Sequence, residues 1–338
     1  MSANSLLRYL IAGRLRRNYT ILPNGNSLLD VPGGGLIYAA AGIGIWEQGV
    51  GLIGRVGEDY PQDWLQRIAR HGMDIRGIHV LPEAVDLRHF AAYPDAETVV
   101  TDNPVSHFAR LGLQFPKSLL GYTPPTPLLD SRTRAEQMTI RQNDFPSDYL
   151  DATAAHICPL DYVSHTLLPT LLRRGQVNTL TLDPGANYMN PTFWDEIPVL
   201  LNGLNAFHVS EQKITSLFQG RSEDLWEMAE TLAGYGCEMI VIKLGSRGQY
   251  LYNGANRTRW IVPAYPVTVV DPTGAGDAFC GGFLAGYRET YDPLHATLTG
   301  NISAAMVIEG TNPLYALDAL PGLSKARLEA LREMVRKA

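Results

Sequence analysis

The segment from Asp271 to Asp277 combines small residues with two carboxylates where a helix would begin. Its sequence, DPTGAGD, precedes an apolar run with helical spacing. Backbone N–H groups at Gly274, Ala275 and Gly276 can point outward without side-chain obstruction, and together with the positive end of a helix they would bind an anion such as a phosphate. A carboxylate beside an anion requires a chemical reason. The economical one is that Asp277 is a general base that takes a proton from a hydroxyl attacking phosphorus.

Two further features of this stretch predict how it is built. Asp271, which precedes Pro272, is expected to accept N–H bonds from the turn and to hold it rigid. Glycines at 281, 282 and 286 each cost a helix about 0.5–1 kcal/mol relative to alanine. We expect these glycines to let the helix lie close to the sheet.

The composition excludes several classes of function. The 338 residues are 45% hydrophobic and carry a formal charge of −6, which is typical of a soluble globular protein without the basic footprint of a nucleic-acid-binding protein. No stretch is long enough to span a membrane. The three cysteines (Cys158, Cys237 and Cys280) have no paired spacing, which argues against a disulfide framework or zinc site and favours a cytoplasmic location.

Short apolar runs alternate with helical patterns along most of the chain. This order predicts an α/β fold in which a mostly parallel central sheet is covered by helices on both faces. The expected strands are 6–12, 50–57, 177–185, 203–210, 238–245 and 265–271, and the expected helices are 61–72, 222–236, 293–310 and 324–338, besides the glycine-rich helix.

Two turn-rich segments do not fit the alternation. They cover residues of about 14–32 and 86–112, and we expect them to form small strands that project from the core as a β lid. Residues 113–147 are expected to form a long surface connection. With no repeat and no separating linker, residues 1–338 are predicted to form a single domain.

The motif DPTGAGDAFCGGFL resembles the C-terminal signature of the ribokinase-like (PfkB) carbohydrate kinases. Other stretches resemble that family in the family's order along the chain. They are GRLRRN (13–18), PGGGLIYAAAG (32–42), the stretch 52–80 and VIKLGSRG (241–248). The resemblance implies a ribokinase-like fold and an enzyme that uses ATP and Mg²⁺ to phosphorylate a hydroxyl of a sugar, polyol or nucleoside.

The resemblance also implies roles for particular residues. Asp277 would be the base, and the amides of Gly274, Ala275 and Gly276 would form an anion hole that stabilises the transferring phosphoryl group. The residues expected along the nucleotide are Lys243, Gly245, Gly248, Thr273 and Asn301. Those expected at the acceptor are Asn18, Gly33, Gly34 and Tyr38, together with Asp277.

Three positions depart from the family pattern. Asn18 stands where the family usually has an acceptor-binding Asp, and Tyr38 stands where a motif Asn is usual. Both changes favour a bulkier or less hydroxyl-rich acceptor than ribose. SEQK (210–213) aligns with the magnesium motif and puts Lys213 in place of its Glu, so that Glu211 becomes the candidate metal ligand, acting through water.

Alternatives remain open at this point. A nucleoside kinase of the same fold is favoured by Tyr38, which could stack on a base. A catalytically weak sugar- or nucleotide-binding protein is favoured by the altered magnesium motif, although a pure binder would have no use for Asp277. A monovalent cation is compatible with the resemblance, and exposed lid strands could pair two subunits into a homodimer.

Overall fold

Strands and helices alternate along most of the chain. The computed structural model of the protein describes residues 7–124 and 129–337. The strands there are β1 (Tyr9–Ala12), β2 (Arg16–Ile21), β3 (Ser27–Gly33), β4 (Val50–Val56), β5 (Asp74–Val80), β6 (Arg88–Ala92), β7 (Ala154–Ile157), β8 (Thr179–Leu182), β9 (Ala206–Ser210), β10 (Met239–Lys243), β11 (Gln249–Asn253), β12 (Thr258–Val262) and β13 (Arg336–Lys337). The α-helices are α1 (Gly35–Gly44), α2 (Gln62–Arg70), α3 (Pro104–Arg110), α4 (Tyr162–Arg173), α5 (Ile197–Leu201), α6 (Glu211–Leu217), α7 (Leu225–Ala233), α8 (Ala275–Thr290), α9 (Pro293–Ile308) and α10 (Leu323–Arg332).

The larger sheet has ten strands in the order β13-β12-β11-β10-β9-β8-β7-β1-β4-β5. Pairing is parallel from β10 to β5, and β11, β12 and β13 continue the sheet antiparallel. The carboxyl ends of the parallel strands therefore meet at one edge, which is where ligands bind in open α/β sheets.

Side chains of each parallel strand alternate between two apolar layers. In β1, Leu10 and Ala12 pack in a layer with side chains of α4, α5, α6 and α7. Tyr9 and Ile11 face the opposite layer, which contains side chains of α1, α2, α8, α9 and α10. Helices thus cover both faces, because each strand carries apolar residues on both sides.

The expected strand at 265–271 is wrong, since this segment has no strand partner. Its backbone bonds run instead to α9 and its C-terminal end. Val270 and Asp271 both donate to the Ile308 carbonyl, and Tyr265 donates to the Asn301 side chain. Although β-branched residues alternate here, the backbone groups of this segment bond to α9 and the residue at its end instead of to a strand. The glycine-rich motif therefore follows an extended segment that belongs to no sheet.

The expected helix at 324–338 is also wrong at its end. The helix α10 ends at Arg332, and the chain then turns into β13, which pairs with β12 through Trp260 and Ile261. The spacing of apolar residues in this region therefore predicts the helix correctly only up to its last turn that packs against the core.

The glycines of α8 face neighbouring helices, which corrects the expectation that they bring α8 to the sheet. A Cβ on Gly281 would lie 1.8 Å from the Ala39 carbonyl oxygen of α1, and one on Gly282 would lie 2.1 Å from Ser303 Oγ of α9. The side of α8 that packs with the strands carries the large residue Phe283. Close packing of three helices is therefore what these glycines allow.

The smaller sheet has the order β3-β2-β6 and is built from the two segments that the sequence sets apart. One of its faces is covered by Phe108 of α3, which packs with Tyr19, Ile21 and Phe90. The movement of this sheet as a lid stays a prediction.

Among residues 7–124 and 129–337, no helix combines the length and the apolar character needed to cross a membrane.

We expect Gly281→Ala to lower the free energy of unfolding by about 1–3 kcal/mol, because the new methyl group would overlap the Ala39 carbonyl and force α1 and α8 apart. Urea unfolding followed by circular dichroism measures the change. The matched control is Gly234→Ala at the end of α7, where the backbone has right-handed helical angles (φ −59°, ψ −19°) and the nearest atom to an added Cβ is the Thr231 carbonyl oxygen, 3.2 Å away. Equal midpoints for the two variants would contradict the packing role of Gly281.

Candidate active site

The glycine-containing loop forms the start of α8. Gly274 precedes the helix with a φ of +79°, and the Thr273 N–H donates to Asp271 Oδ1 at 3.0 Å, as expected for a carboxylate that holds the turn. The first amides of a helix have no partner within the helix. The Ala275 N–H points back to the Pro272 carbonyl at 3.4 Å, so the loop offers chiefly its other amides and the helix's positive end to an anion.

Asp277 lies in the first turn of α8 and faces the start of α1. A Cβ on Gly35 would stand 2.8 Å from Asp277 Oδ1. No donor in the described part of the chain bonds this carboxyl group. Burial raises its pKa, and the negative charge of Asp183 adds to the effect, while Lys243 opposes it. The carboxylate is therefore more basic than an ordinary aspartate and free to accept a proton.

A buried lysine–aspartate cluster, made of Asp183, Lys213 and Lys243, adjoins this loop. Asp183 directly follows β8 and is 2% exposed. Lys213 Nζ donates to Asp183 Oδ1 at 2.8 Å and to the Pro184 carbonyl at 2.7 Å, and Lys243 Nζ donates to Asp183 Oδ2. Three neighbouring strands, β8, β9 and β10, thus bring these groups to the same edge of the sheet.

The cluster places two ammonium groups beside the loop. Burial works against the charge of Asp183, but the two lysines hold the pKa of its carboxyl well below the usual range. Burial likewise opposes the charge of Lys243, yet the Asp183 carboxylate keeps the pKa of that ammonium above its ordinary value. Lys243 Nζ also lies 3.4 Å from the Gly276 carbonyl, directly beneath the loop. The arrangement suits the binding of a phosphate at the loop.

The other residues predicted along the nucleotide lie around the same edge. Gly245 and Gly248 have φ values of +62° and +91° and flank the turn after β10. Thr273 Oγ1 donates to the Tyr93 hydroxyl at 3.2 Å, which joins the loop to the segment after β6. Asn301 is 3% exposed. Its amide bonds Gln249, the Pro263 carbonyl and the Tyr265 N–H, so all of its polar atoms are used within the chain.

The residues predicted at the acceptor lie where β2, β3 and α1 meet. A Cβ on Gly33 would overlap the Asn18 amide at 2.1 Å, and one on Gly34 would lie 2.3 Å from the Arg14 carbonyl. The missing side chains of these two glycines therefore allow the Asn18 side chain and the Arg14 backbone to pack close to them. The Tyr38 ring packs against Gly274, where a Cβ would be 2.2 Å from it, and the residue is 5% exposed. Tyr38 thus supports the loop and presents little surface on which a base could stack.

A magnesium site made by the protein does not fit the carboxylates at this edge. Glu211 begins α6 and its carboxylate is paired with Arg247 at the surface. Asp183 is paired with two lysines, and Lys213 brings a positive charge to the position that aligns with a metal-binding Glu. Within residues 7–124 and 129–337, no three His, Cys, Asp or Glu side chains converge to hold a metal ion.

Sequence reasoning missed Asp183 and Arg16. Asp183 was visible as an acidic residue between a buried strand and a proline, at the end of a strand where ligands bind. Its lysine partners are 30 and 60 residues away along the chain, and no local pattern connects them. Arg16 begins β2, so the strand-end rule does not point to it, and its charge lies near enough to Asp277 to oppose the rise that burial causes in the pKa of that carboxyl group.

The comparisons with known proteins agree with this architecture. Residues 185–319 match the family described as pfkB family carbohydrate kinase. The chain is 28% identical over 289 residues to a cytidine kinase of Thermococcus kodakarensis, which covers 83% of this chain and 89% of that protein.

Solved structures resemble the whole fold. A putative ribokinase II of E. coli in complex with ATP and Mg²⁺ superposes with a TM-score of 0.65 at 20% identity, covering 97% of this chain and 100% of that one. A Burkholderia thailandensis nucleoside kinase in complex with inosine does so with a TM-score of 0.65 at 19% identity, covering 96% and 98%. The predicted α/β fold of ribokinase type, with its mostly parallel sheet, is confirmed.

We expect Asp183→Asn to lower the free energy of unfolding by about 3–5 kcal/mol at pH 7, because two buried ammonium groups lose their carboxylate. The native pKa of Asp183 is depressed, so its contribution is present above the unfolded pKa of about 4 and is lost as the pH falls below that value. Denaturant unfolding between pH 7 and pH 2 should show the difference from wild type shrinking with acidification. The control is Asp195→Asn, an exposed carboxylate without a hydrogen bond in the described structure; a constant difference for Asp183→Asn would be the contrary result.

Proposed function

We propose that this chain, a member of the pfkB family of carbohydrate kinases, transfers the γ-phosphoryl group of ATP to a hydroxyl of a sugar-like small molecule. The observation that carries the proposal is the Asp277 carboxyl group. It accepts no hydrogen bond within the described residues, burial raises its pKa, and it lies next to both the 274–276 loop and the lysine–aspartate cluster.

The chemistry follows from these neighbours. Asp277 takes the proton of the acceptor hydroxyl while the hydroxyl oxygen forms a bond to the γ-phosphorus. At the same time the bond between that phosphorus and the β–γ bridging oxygen, which leaves with ADP, breaks. The loop amides and the N-terminus of α8 stabilise the charge on the transferring group. Lys243, beneath Gly276, adds a positive charge at short range, and Lys213 adds a second.

Mg²⁺ enters this scheme as part of the substrate, as MgATP. The fold likeness to a structure that holds ATP and Mg²⁺ supports the nucleotide. The pairing of Glu211 with Arg247 argues that the protein does not supply that carboxylate to the ion. The two lysines of the cluster would then neutralise phosphate charge that a protein-bound metal would otherwise neutralise. A monovalent cation stays a prediction.

A nucleoside acceptor is the second candidate. The similarity to a cytidine kinase over 83% of the chain favours it, and the fold likeness to a nucleoside kinase is compatible with it. The small exposure of Tyr38 weakens the stacking argument from the sequence. Nucleosides therefore belong in the acceptor panel beside sugars and polyols.

We expect Asp277→Asn to lower kcat by about 10²–10⁴-fold with little change in ATP affinity, because the general base is lost while the loop and lysines remain. ADP release from MgATP across sugars, polyols and nucleosides measures turnover, and calorimetry measures nucleotide binding. The control is Asp63→Asn, an exposed carboxylate in the first turn of α2, which should keep wild-type turnover. Retained turnover in Asp277→Asn would remove Asp277 as the base. ATP binding without turnover of any acceptor in wild type would favour the weak binding protein.

We expect Lys213→Met to raise the KM for MgATP by roughly tenfold or more, since a charge-assisted contact to phosphate is lost. The acceptor KM should change far less. Initial rates at varied nucleotide and at varied acceptor separate the two effects, with Lys325→Met on the surface of α10 as the control. An unchanged nucleotide KM would show that Lys213 serves only to neutralise Asp183.

A further inference from the structure

One face of the small sheet β3-β2-β6 presents polar side chains toward the candidate active site. Residues alternate between the two faces of β2. Tyr19 and Ile21 face the apolar layer under α3. Arg17 lies on the same face and forms a bidentate ion pair with Asp30, with hydrogen bonds of 2.8 and 2.7 Å. Arg16 and Asn18 must therefore lie on the opposite face.

Three consecutive glycines show what this opposite face lies against. A Cβ added to Gly33 would overlap the Asn18 side chain, and one added to Gly35 would approach the Asp277 carboxylate. A Cβ added to Gly34 would lie 2.9 Å from the backbone N of Arg16. The side chains of Asn18 and Asp277 thus meet at the junction between β3 and α1, and the charge of Arg16 lies near enough to act on the Asp277 carboxyl group. Along β6, the residue opposite Asn18 is His89, which joins the same face.

Polar side chains near this junction lack hydrogen-bond partners inside the described chain. Arg16 is half-buried and forms neither a hydrogen bond nor an ion pair with any residue in 7–124 or 129–337. Asn18 is 3% exposed and its Oδ1 is unpartnered. The Nε of Arg14 is also buried without a partner, and the nearest carboxylate, Asp161, lies 3.9 Å from its Nη2.

Asp277 is near Arg16 but makes no hydrogen bond or ion pair with it, so the half-buried guanidinium charge is only partly compensated, which is unfavourable. Burial, with the positive charge of Arg14 beside it, lowers the pKa of Arg16. Burial and the positive charge of Arg16 lower the pKa of His89 to about 3, so the imidazole stays neutral. Guanidinium groups pair best with carboxylates and phosphates, which match their planar donors.

We propose that the acceptor carries an anionic group, a carboxylate or a phosphate ester, that binds to Arg16 with Arg14 beside it, while the unpartnered Asn18 Oδ1 accepts from a hydroxyl of the same molecule. The proposal deepens the kinase function above and rests on it. A neutral sugar or nucleoside would leave the Arg16 guanidinium without a hydrogen-bonded anion. The phosphates of the nucleotide are the other source of negative charge, but Lys213 and Lys243 already serve that side of Asp277, from the ends of β9 and β10.

The test compares acceptors that share a carbon skeleton and differ in the anionic group. The pairs are D-ribose and D-ribonate, D-glucitol and D-gluconate, D-fructose and D-fructose 6-phosphate, and uridine and orotidine. ADP release measures kcat/KM for each compound. We expect the anionic member of at least one pair to exceed its neutral counterpart by about 10–100-fold, the range of a charge-assisted contact. The carboxylate and phosphate pairs show which anion is used.

The variant Arg16→Gln then assigns the preference to this residue. Its KM for the preferred anionic acceptor should rise by about 10–100-fold, while kcat changes only a few-fold and the KM for MgATP stays the same. Arg16→Lys should recover part of the loss. The matched control is Arg17→Gln on the opposite face of the same strand, which should leave the acceptor KM near the wild-type value.

The outcomes separate this proposal from the proposed function. Turnover that favours the neutral members, or an Arg16→Gln variant altered only in its KM for MgATP, overturns the anionic acceptor and leaves the kinase intact. If no acceptor turns over, the kinase proposal fails on this panel and calorimetry with the same compounds decides the site. Binding that is selective for the anionic compounds and is abolished by Arg16→Gln upholds the anion site. Binding without such selectivity, or no binding at all, overturns the anion site.

Discussion

The bridge from Asp183 to two lysines is the interaction on which the rest of the site depends. A carboxylate that is 2% exposed is tolerated only where positive charge and hydrogen bonds surround it. Lys213 and Lys243 supply both from the ends of neighbouring strands. Because Lys243 also donates to the Gly276 carbonyl, the same charges fix the start of α8 against the sheet. A shift of any of these strands would leave a charge buried alone.

The bridge also sets the properties of Asp277. The cluster contributes two positive charges and one negative charge, and Asp277 balances the remainder. Burial and the charge of Asp183 raise its pKa, while Lys243 and Lys213 oppose that rise. A carboxylate whose pKa is raised in this way is a stronger base than an ordinary aspartate, as the proposed proton transfer requires.

The sequence predicted the parts of the site that are local. The motif from Asp271 to Asp277 contains its own turn, its own helix start and its own acid, so its geometry followed from adjacent residues. The strand expected at 265–271 was wrong because its backbone finds partners on α9, which a pattern of β-branched residues cannot reveal. Asn301 was predicted beside the nucleotide, but the bonds that occupy its amide come from residues 36 to 52 positions away.

Glycines show the same limit. Their number in α8 signalled a close approach, but the sequence could not say to what, and the neighbours are α1 and α9. Only a folded chain shows that Gly33 and Gly34 face Asn18 and Arg14. A glycine in the sequence indicates that some other part of the chain packs closely against the backbone there. Which part it is depends on the tertiary structure.

Two basic residues on opposite sides of Asp277 have a common electrostatic sense. Lys213 adds a positive charge on the side of Asp277 that faces the loop and the cluster, and Arg16 adds another on the side that faces the small sheet. With Lys243, Asp183 and Asp277, these groups leave one net positive charge in the site. Besides pairing with Asp183, Lys213 supplies positive charge where the protein offers no carboxylate to a metal ion, and Arg16 supplies a partner for an anionic acceptor. Both residues are explained together if the negative charge in this site comes from its substrates.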